Sequence, residues 1–197
     1  LDVEKRDWSE KLLDASSMNI SQMPSVCEGT DQTGTIEKDI AEKYGFNMKC
    51  KVYGGAGDNA AAAVGLGLYE EGDASISLGT SGVIFGSTNK FLKNYDDAIH
   101  SFCHCLPNTW HLMSVMLSCT SNINWFINTF DSSIDEISNY LKDSMSSDAL
   151  MNNSPYYLPY LTGERTPLND PHVRASFHNM GIETDRKTLV YSLIAVS

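Results

Sequence analysis

Basic residues are scarce in this chain. Fourteen Lys and Arg face twenty-five Asp and Glu over 197 residues, a formal net charge of −11. They are also scattered, so the electrostatic footprint that tracks a phosphate backbone is missing. That excludes nucleic acid and anionic membrane surfaces as partner classes. Long apolar runs are absent too. The longest weakly polar stretch, Ala60–Tyr69, has about half the length a membrane span requires and is rich in Gly and Ala. Leu1–Ser9 is charged and polar where a signal peptide would carry its apolar core. Cysteines are few, odd in number and dispersed, at Cys27, Cys50, Cys103, Cys105 and Cys119. Such a set argues against a secreted disulfide frame and for reduced thiols in a cytoplasmic protein. No internal repeat or low-complexity tract occurs.

What is present is enough apolar material, 42% of residues, for one ordinary domain or two small ones. The chain opens on Leu1 in place of Met. Its last segment, Arg186–Ser197, has helical apolar spacing at Leu189, Leu193 and Val196 but no capping residue. The sequence therefore reads as an internal piece of a longer protein. Periodicity predicts a helix over Asp7–Ser16 with Trp8, Leu12 and Ala15 on one face. A second helix, capped by Thr35, carries Ile36, Ile40 and Tyr44 and ends at Gly45. A short strand over Lys49–Tyr53 leads through a glycine turn into a helix from Asp58 to about Glu70. Ala74, Ile76 and Leu78 alternate with serines in a half-buried strand, and Val83–Gly86 forms another. Ser101–Trp110 reads as extended and broken at Pro107, before a helix marked by Met116, Cys119, Ile123, Phe126, Ile127 and Phe130. Ser133 and Glu136 have capping-box spacing and open a helix with Ile134, Ile137 and Leu141. A strand over Leu158–Leu161 precedes the loop TGERTPLNDP. The class is α/β, with a domain boundary near Glu70–Asp73.

Two places carry chemistry. Asp58 follows a strand and a glycine turn, a position where ligands gather in α/β folds. An ordinary helix N-cap explains the same residue, and the local sequence alone favours that explanation. Gly79-Thr80-Ser81-Gly82 lies between two strands, where successive amides can form a nest for an anion with the hydroxyls as extra donors. A plain hairpin turn accounts for it equally well. The Lys of a Walker loop is absent. His100, Cys103, His104, Cys105 and His111 crowd twelve positions, but their spacing suits burial better than tetrahedral zinc. A Cys/His metal-binding module or a non-catalytic interaction domain remains an alternative of another class. Glu164 and Arg165 read as a structural ion pair, and Trp110, Trp125, Tyr156, Tyr157 and Tyr160 as core or interface aromatics.

Four segments in order, GGAGDNAAAAVGLG, SLGTSGVIF, HSFCHCLPNTWHLMSVMLS and LPYLTGERTP, together resemble the FGGY carbohydrate kinase family, as does the opening LDVEKRDWSEKLL. The resemblance implies two actin-like (ribonuclease H-like) domains around a cleft, the first holding sugar and the second ATP. Residues 1–72 would end the sugar-binding domain and residues 73–197 would begin the ATP-binding domain. The implied reaction is ATP-dependent phosphorylation of D-xylulose, with ribulose or gluconate as alternatives, ATP and Mg²⁺ as cofactors, and a homodimer left open. Asp58 matches the family's base on the sugar hydroxyl, and Asn59 a neighbour that contacts the sugar. Gly79, Thr80, Ser81 and Gly82 match the turn that meets the ATP phosphates, and Asn124 a polar nucleotide contact. No metal ligand is expected in this chain, whose metal-associated Asp and adenine loop would lie elsewhere, so the piece alone is expected to be inactive. Ala195 and Val196 stand where relatives usually carry a Glu-Gly pair, and His178 and Asn179 interrupt an expected Phe-Gly-Leu pattern.

Overall fold

A computed structural model describes residues 1–94, 98–144 and 154–196. These form two compact units. The first comprises Leu1–Ser75, Phe85–Lys93 and His100–Met113, and the second Ile76–Ile84, Asn94–Ile99 and Ser114–Ser197. Four strands, Ala74–Leu78 (β3), Gly82–Thr88 (β4), His100–Cys103 (β5) and Trp110–Met116 (β6), make a sheet in the order β3-β4-β6-β5. β5 and β6 are antiparallel, with Phe102 opposite His111 and Cys103 opposite Trp110.

In the first unit, Gln32–Thr35 (β1) pairs antiparallel with Lys51–Tyr53 (β2). Thr35 thus ends a strand and does not cap a helix. The helix Lys38–Tyr44 (α2) starts later, after Glu37. It stops as expected at Gly45, which is left-handed at φ 73°, and the Phe46 amide reaches back to the Ala41 carbonyl. Ala41 is the buried residue of α2, while Ile40 and Tyr44 are exposed. The first helix, Glu10–Ala15 (α1), is shorter than Asp7–Ser16 because Asp7 pairs with Asp2 in an isolated bridge. It buries Leu13, and Leu12 is exposed. Asp58–Gly65 (α3) turns Ala60 and Ala63 inward and ends at Gly65, short of the expected limit near Glu70.

The second unit is organised around Phe126, Ile137, Tyr157, Val190 and Leu193. They come from Thr120–Phe130 (α4), Ile134–Ser144 (α5), the hairpin of Tyr156–Leu158 (β7) with Ser176–His178 (β8), and Arg186–Val196 (α6). Met116 lies in β6 and Cys119 precedes α4, so the helix is shorter at its start than its apolar spacing suggests. β7 likewise sits earlier than Leu158–Leu161. The Ser133 hydroxyl accepts the Glu136 amide at 3.1 Å, so the expected cap on α5 is present. Glu136 is held below the usual carboxylate range, first by the hydroxyl of Tyr140 and then by that of Ser132. α6 has an N-terminal cap that spacing did not disclose, Asp185 and Thr188 bonding each other's amides. Tyr157 is enclosed as expected of a core aromatic, whereas Tyr156 is exposed. Among the described residues, no helix is long and apolar enough to cross a membrane.

Candidate active site

The loop between β2 and α3 is built by close backbone approach. The Gly54 amide donates to the Asp31 carbonyl and the Gly55 amide to the Gly29 carbonyl, both at 3.0 Å. A Cβ on Gly54 would stand 2.6 Å from the Glu28 carbonyl oxygen, and Gly55 has φ 78°. Both positions therefore demand glycine. Gly57, extended at φ −64° and ψ 151°, is the N-cap residue, and Asp58 is the first residue inside the helix. Gly57 itself has no side chain to cap with, and one Asp58 oxygen serves a first-turn amide. Asp58 is therefore not the N-cap residue, which is Gly57. Asp58 Oδ1 accepts the Asn59 amide at 2.7 Å and Asn59 Nδ2 at 3.2 Å. Oδ2 has no hydrogen-bond partner among the described residues, and Asp58 and Asn59 are both exposed.

Gly57–Ala60 form one wall of a cleft of about 260 Å³, and Phe102, His111 and Met113 line the other. His111 is 5% exposed and stacks on Phe85 with ring centroids 4.5 Å apart. Burial, and secondarily His104, pushes its pKa down to about 4, so the imidazole is neutral at pH 7. Burial also lowers His104, with a smaller push from Arg6. The Cys/His cluster is thus interior material. The Cys103 thiol donates to the Val3 carbonyl and the Cys105 thiol to that of Ala60. Arg6 supports this wall, donating to both Glu28 oxygens and to the carbonyls of His104, Leu106 and Thr109. Among the described residues, no group of three His, Cys, Asp or Glu side chains converges to hold a metal.

In the second unit, the Gly79–Gly82 turn is tied back by its carbonyls. Gly79 O accepts the amide and hydroxyl of Thr120 at 3.0 and 2.7 Å. Thr80 O accepts the Cys119 amide at 2.9 Å and the Ser121 hydroxyl at 3.0 Å. With the carbonyls satisfied from behind, the Thr80 and Ser81 amides have no partner among the described residues, the arrangement of an anion nest. Ser81 differs from the expectation that its hydroxyl is a spare donor, since it donates to the Leu117 carbonyl at 3.1 Å. Asn124 is exposed on α4. Asn122, two residues earlier, is the enclosed one, donating to Ser118 O and accepting the Tyr157 hydroxyl. Glu164 makes no ion pair with Arg165. It lies 3% exposed and accepts backbone amides, while Arg165 is exposed. The hydroxyl-rich Ser118–Ser121 segment was the missed partner of the turn, and its composition was the available signal.

Residues 1–65 match the FGGY family of carbohydrate kinases, N-terminal domain, and residues 74–195 the FGGY family of carbohydrate kinases, C-terminal domain. The chain belongs to the FGGY family of carbohydrate kinases. A xylulose kinase of Escherichia coli (strain K12) is 41% identical over 180 residues, spanning 91% of this chain and 36% of that protein. One of Lactococcus lactis subsp. lactis (strain IL1403) is 36% identical over 190 residues, 95% of this chain and 37% of that protein. Among solved structures, a xyloylose kinase from Brucella ovis superposes with TM-score 0.89 at 37% identity, over 98% of this chain and 39% of its own. Plasmodium falciparum glycerol kinase with ADP gives TM-score 0.81 at 19% identity over 98% of this chain and 38% of its own, a likeness of fold alone. This FGGY chain therefore carries part of the actin-like ATPase fold and spans little over a third of its relatives' length.

Proposed function

We propose that this chain belongs to a kinase that transfers the γ-phosphoryl group of ATP to the 5-hydroxyl of D-xylulose. Residues 1–72 end its sugar-binding domain and residues 73–197 begin its ATP-binding domain. Support for the sugar comes from relatives named xylulose kinases at 36 and 41% identity. The observation that carries the reading is Asp58: a carboxylate one residue inside the helix cap that lies on a cleft and keeps one oxygen without a hydrogen-bond partner among the described residues.

The chemistry follows from the residues. Asn59 fixes Oδ1 through its amide and side chain, leaving Oδ2 to accept the substrate hydroxyl proton as the new O–P bond forms. Phosphoryl transfer has a loose transition state with charge spread over the transferred oxygens, so placement of the carboxylate matters more than high basicity. The Thr80 and Ser81 amides donate to phosphate oxygens, stabilising charge where it gathers. The free amides fit an anion. ATP supplies the phosphoryl group and Mg²⁺ its charge neutralisation, but the described residues offer that ion no side-chain cage, so no step is assigned to it. Asn124, exposed on α4, is assigned to the nucleotide by resemblance alone. Five free cysteines support a reducing, cytoplasmic setting.

The test replaces the corresponding segment of the Escherichia coli xylulose kinase with residues 1–197 of this chain. The chimera is assayed with ATP and D-xylulose, D-ribulose or D-gluconate. Turnover on xylulose above the other two is expected, and Asp58→Asn should lower kcat by roughly 10²–10⁴-fold while the KM for ATP holds. Near-normal turnover by that variant removes Asp58 from the reaction.

A further inference from the structure

The TGERTP loop is left without a role by the reading above, and Glu164 within it is an anomaly. The residue is 3% exposed, and its Oε2 is buried with no hydrogen-bond partner among the described residues. Enclosing a half-satisfied carboxylate costs stability, and an apolar side chain would fill the space more cheaply. The other oxygen shows what the cost sustains. Oε1 accepts the Leu117 amide at 3.0 Å and the Arg165 amide at 2.6 Å.

Leu117 is the first residue after β6 and begins the segment that holds the Gly79–Gly82 turn. Its carbonyl receives the Ser81 hydroxyl, and the Cys119, Thr120 and Ser121 donors that follow grip the Thr80 and Gly79 carbonyls. Thr166 secures the same corner one step upstream. Its amide donates to the Val115 carbonyl at 3.1 Å, and its hydroxyl accepts the Val115 amide at 3.2 Å. The loop that presents Glu164 is itself constrained, since Glu164 and Asp170 exchange backbone bonds at 2.9 Å. At Gly163, with φ 86°, a Cβ would meet Pro171 backbone at 2.9 Å.

We propose that Glu164 is a positioning residue for phosphoryl transfer: it fixes the Leu117–Ser121 segment, which in turn aims the Thr80 and Ser81 amides at phosphate. This rests on Gly79–Gly82 being the phosphate-facing turn. Glutamine keeps an acceptor at Oε1, whereas alanine removes it, so Glu164→Gln should retain the device and Glu164→Ala lose it.

Two measurements test it. In the 197-residue chain, hydrogen exchange is followed at the amides of Leu117, Cys119 and Thr120, with Phe126 and Leu193 as core references. Glu164→Ala should speed exchange at the first three by about tenfold or more, as loss of a charge-assisted bond predicts, with the references unmoved and Glu164→Gln near the parent. Unchanged exchange at Cys119 and Thr120 overturns the proposal. So does equal acceleration of the core references, which marks a merely structural residue. In the Escherichia coli chimera, Glu164→Ala should raise the KM for ATP about tenfold with the KM for xylulose within about twofold, and Glu164→Gln should restore it. Equal shifts in both constants, or in neither, refute the role. A parent chimera without turnover counts against the kinase reading, while the exchange data still decide what Glu164 holds.

Discussion

His111 is held neutral by its surroundings, and that has a consequence in acid. In the unfolded chain its imidazole takes a proton near pH 6.5, but in the folded chain burial, aided by His104, delays this to about pH 4. Between those values the unfolded state binds more protons, so stability is full above pH 6.5 and is lost as the pH falls toward 4. At pH 5 the loss is about 1–2 kcal/mol. Urea midpoints at pH 7 and pH 5 measure it, and His111→Phe should flatten the difference. An equal drop in the variant assigns the acid sensitivity to other groups. Tyr157 behaves oppositely at the alkaline end, where burial raises its phenol to about 12 and stability falls as pH rises past 10. The residue scale also shows how far spacing could be read. Asn122 and Asn124 lie on the same helix, yet only Asn122 is four residues from both Ser118 and Phe126, and it is the one enclosed. Helical period sorts the two, whereas resemblance alone pointed to Asn124.

Elements whose limits depend on neighbouring residues were legible. Gly45 stops α2 because a left-handed residue costs glycine nothing, and Ser133 starts α5 because its hydroxyl reaches an amide three residues on. Which face each element buries was harder, since distant partners choose it. Ile76 and Leu78 alternate with serines as a half-buried strand should, yet they are 69% and 61% exposed. The buried side of α2 likewise follows Ala41, a small residue that periodic patterns discount. At the candidate site, the strand-turn-helix around Asp58 was readable, but the placement of Asp58 one residue inside the cap was not. That depends on Gly57 adopting the extended cap conformation one residue earlier. The same local logic makes a prediction for α5. Ser133→Ala leaves the Glu136 amide without its side-chain acceptor and should cost about 1 kcal/mol in thermal or urea unfolding. Ser132→Ala should cost less, because its hydroxyl meets a carboxylate that Tyr140 and Arg186 also engage. A larger loss from Ser132 than from Ser133 would reverse the assignment of the cap.

At the scale of the whole molecule, charge and exposed apolar surface oppose each other. A net charge of −11 keeps copies of the chain apart at pH 7. Against it stand large apolar residues left open to water, among them Leu66 at 68%, Ile76 at 69% and Ile84 at 53% exposure. Such side chains favour association once repulsion is removed. Approaching the isoelectric point near 4.7, the carboxylates take up protons and the repulsion vanishes. His111 has by then withdrawn part of its stabilising contribution, so the unfolded population rises under the same conditions. Light scattering of the purified chain should therefore climb steeply from pH 7 to a maximum near pH 4.7. Half-molar salt at pH 7 should reproduce part of the rise by screening charge without touching His111. Replacing Ile76 and Leu78 by Thr separates the two contributions, lowering scattering in salt and in acid if the exposed strand residues drive it. Scattering that is greatest at pH 7, or that ignores those substitutions in both conditions, shows that charge repulsion and this strand face do not control association.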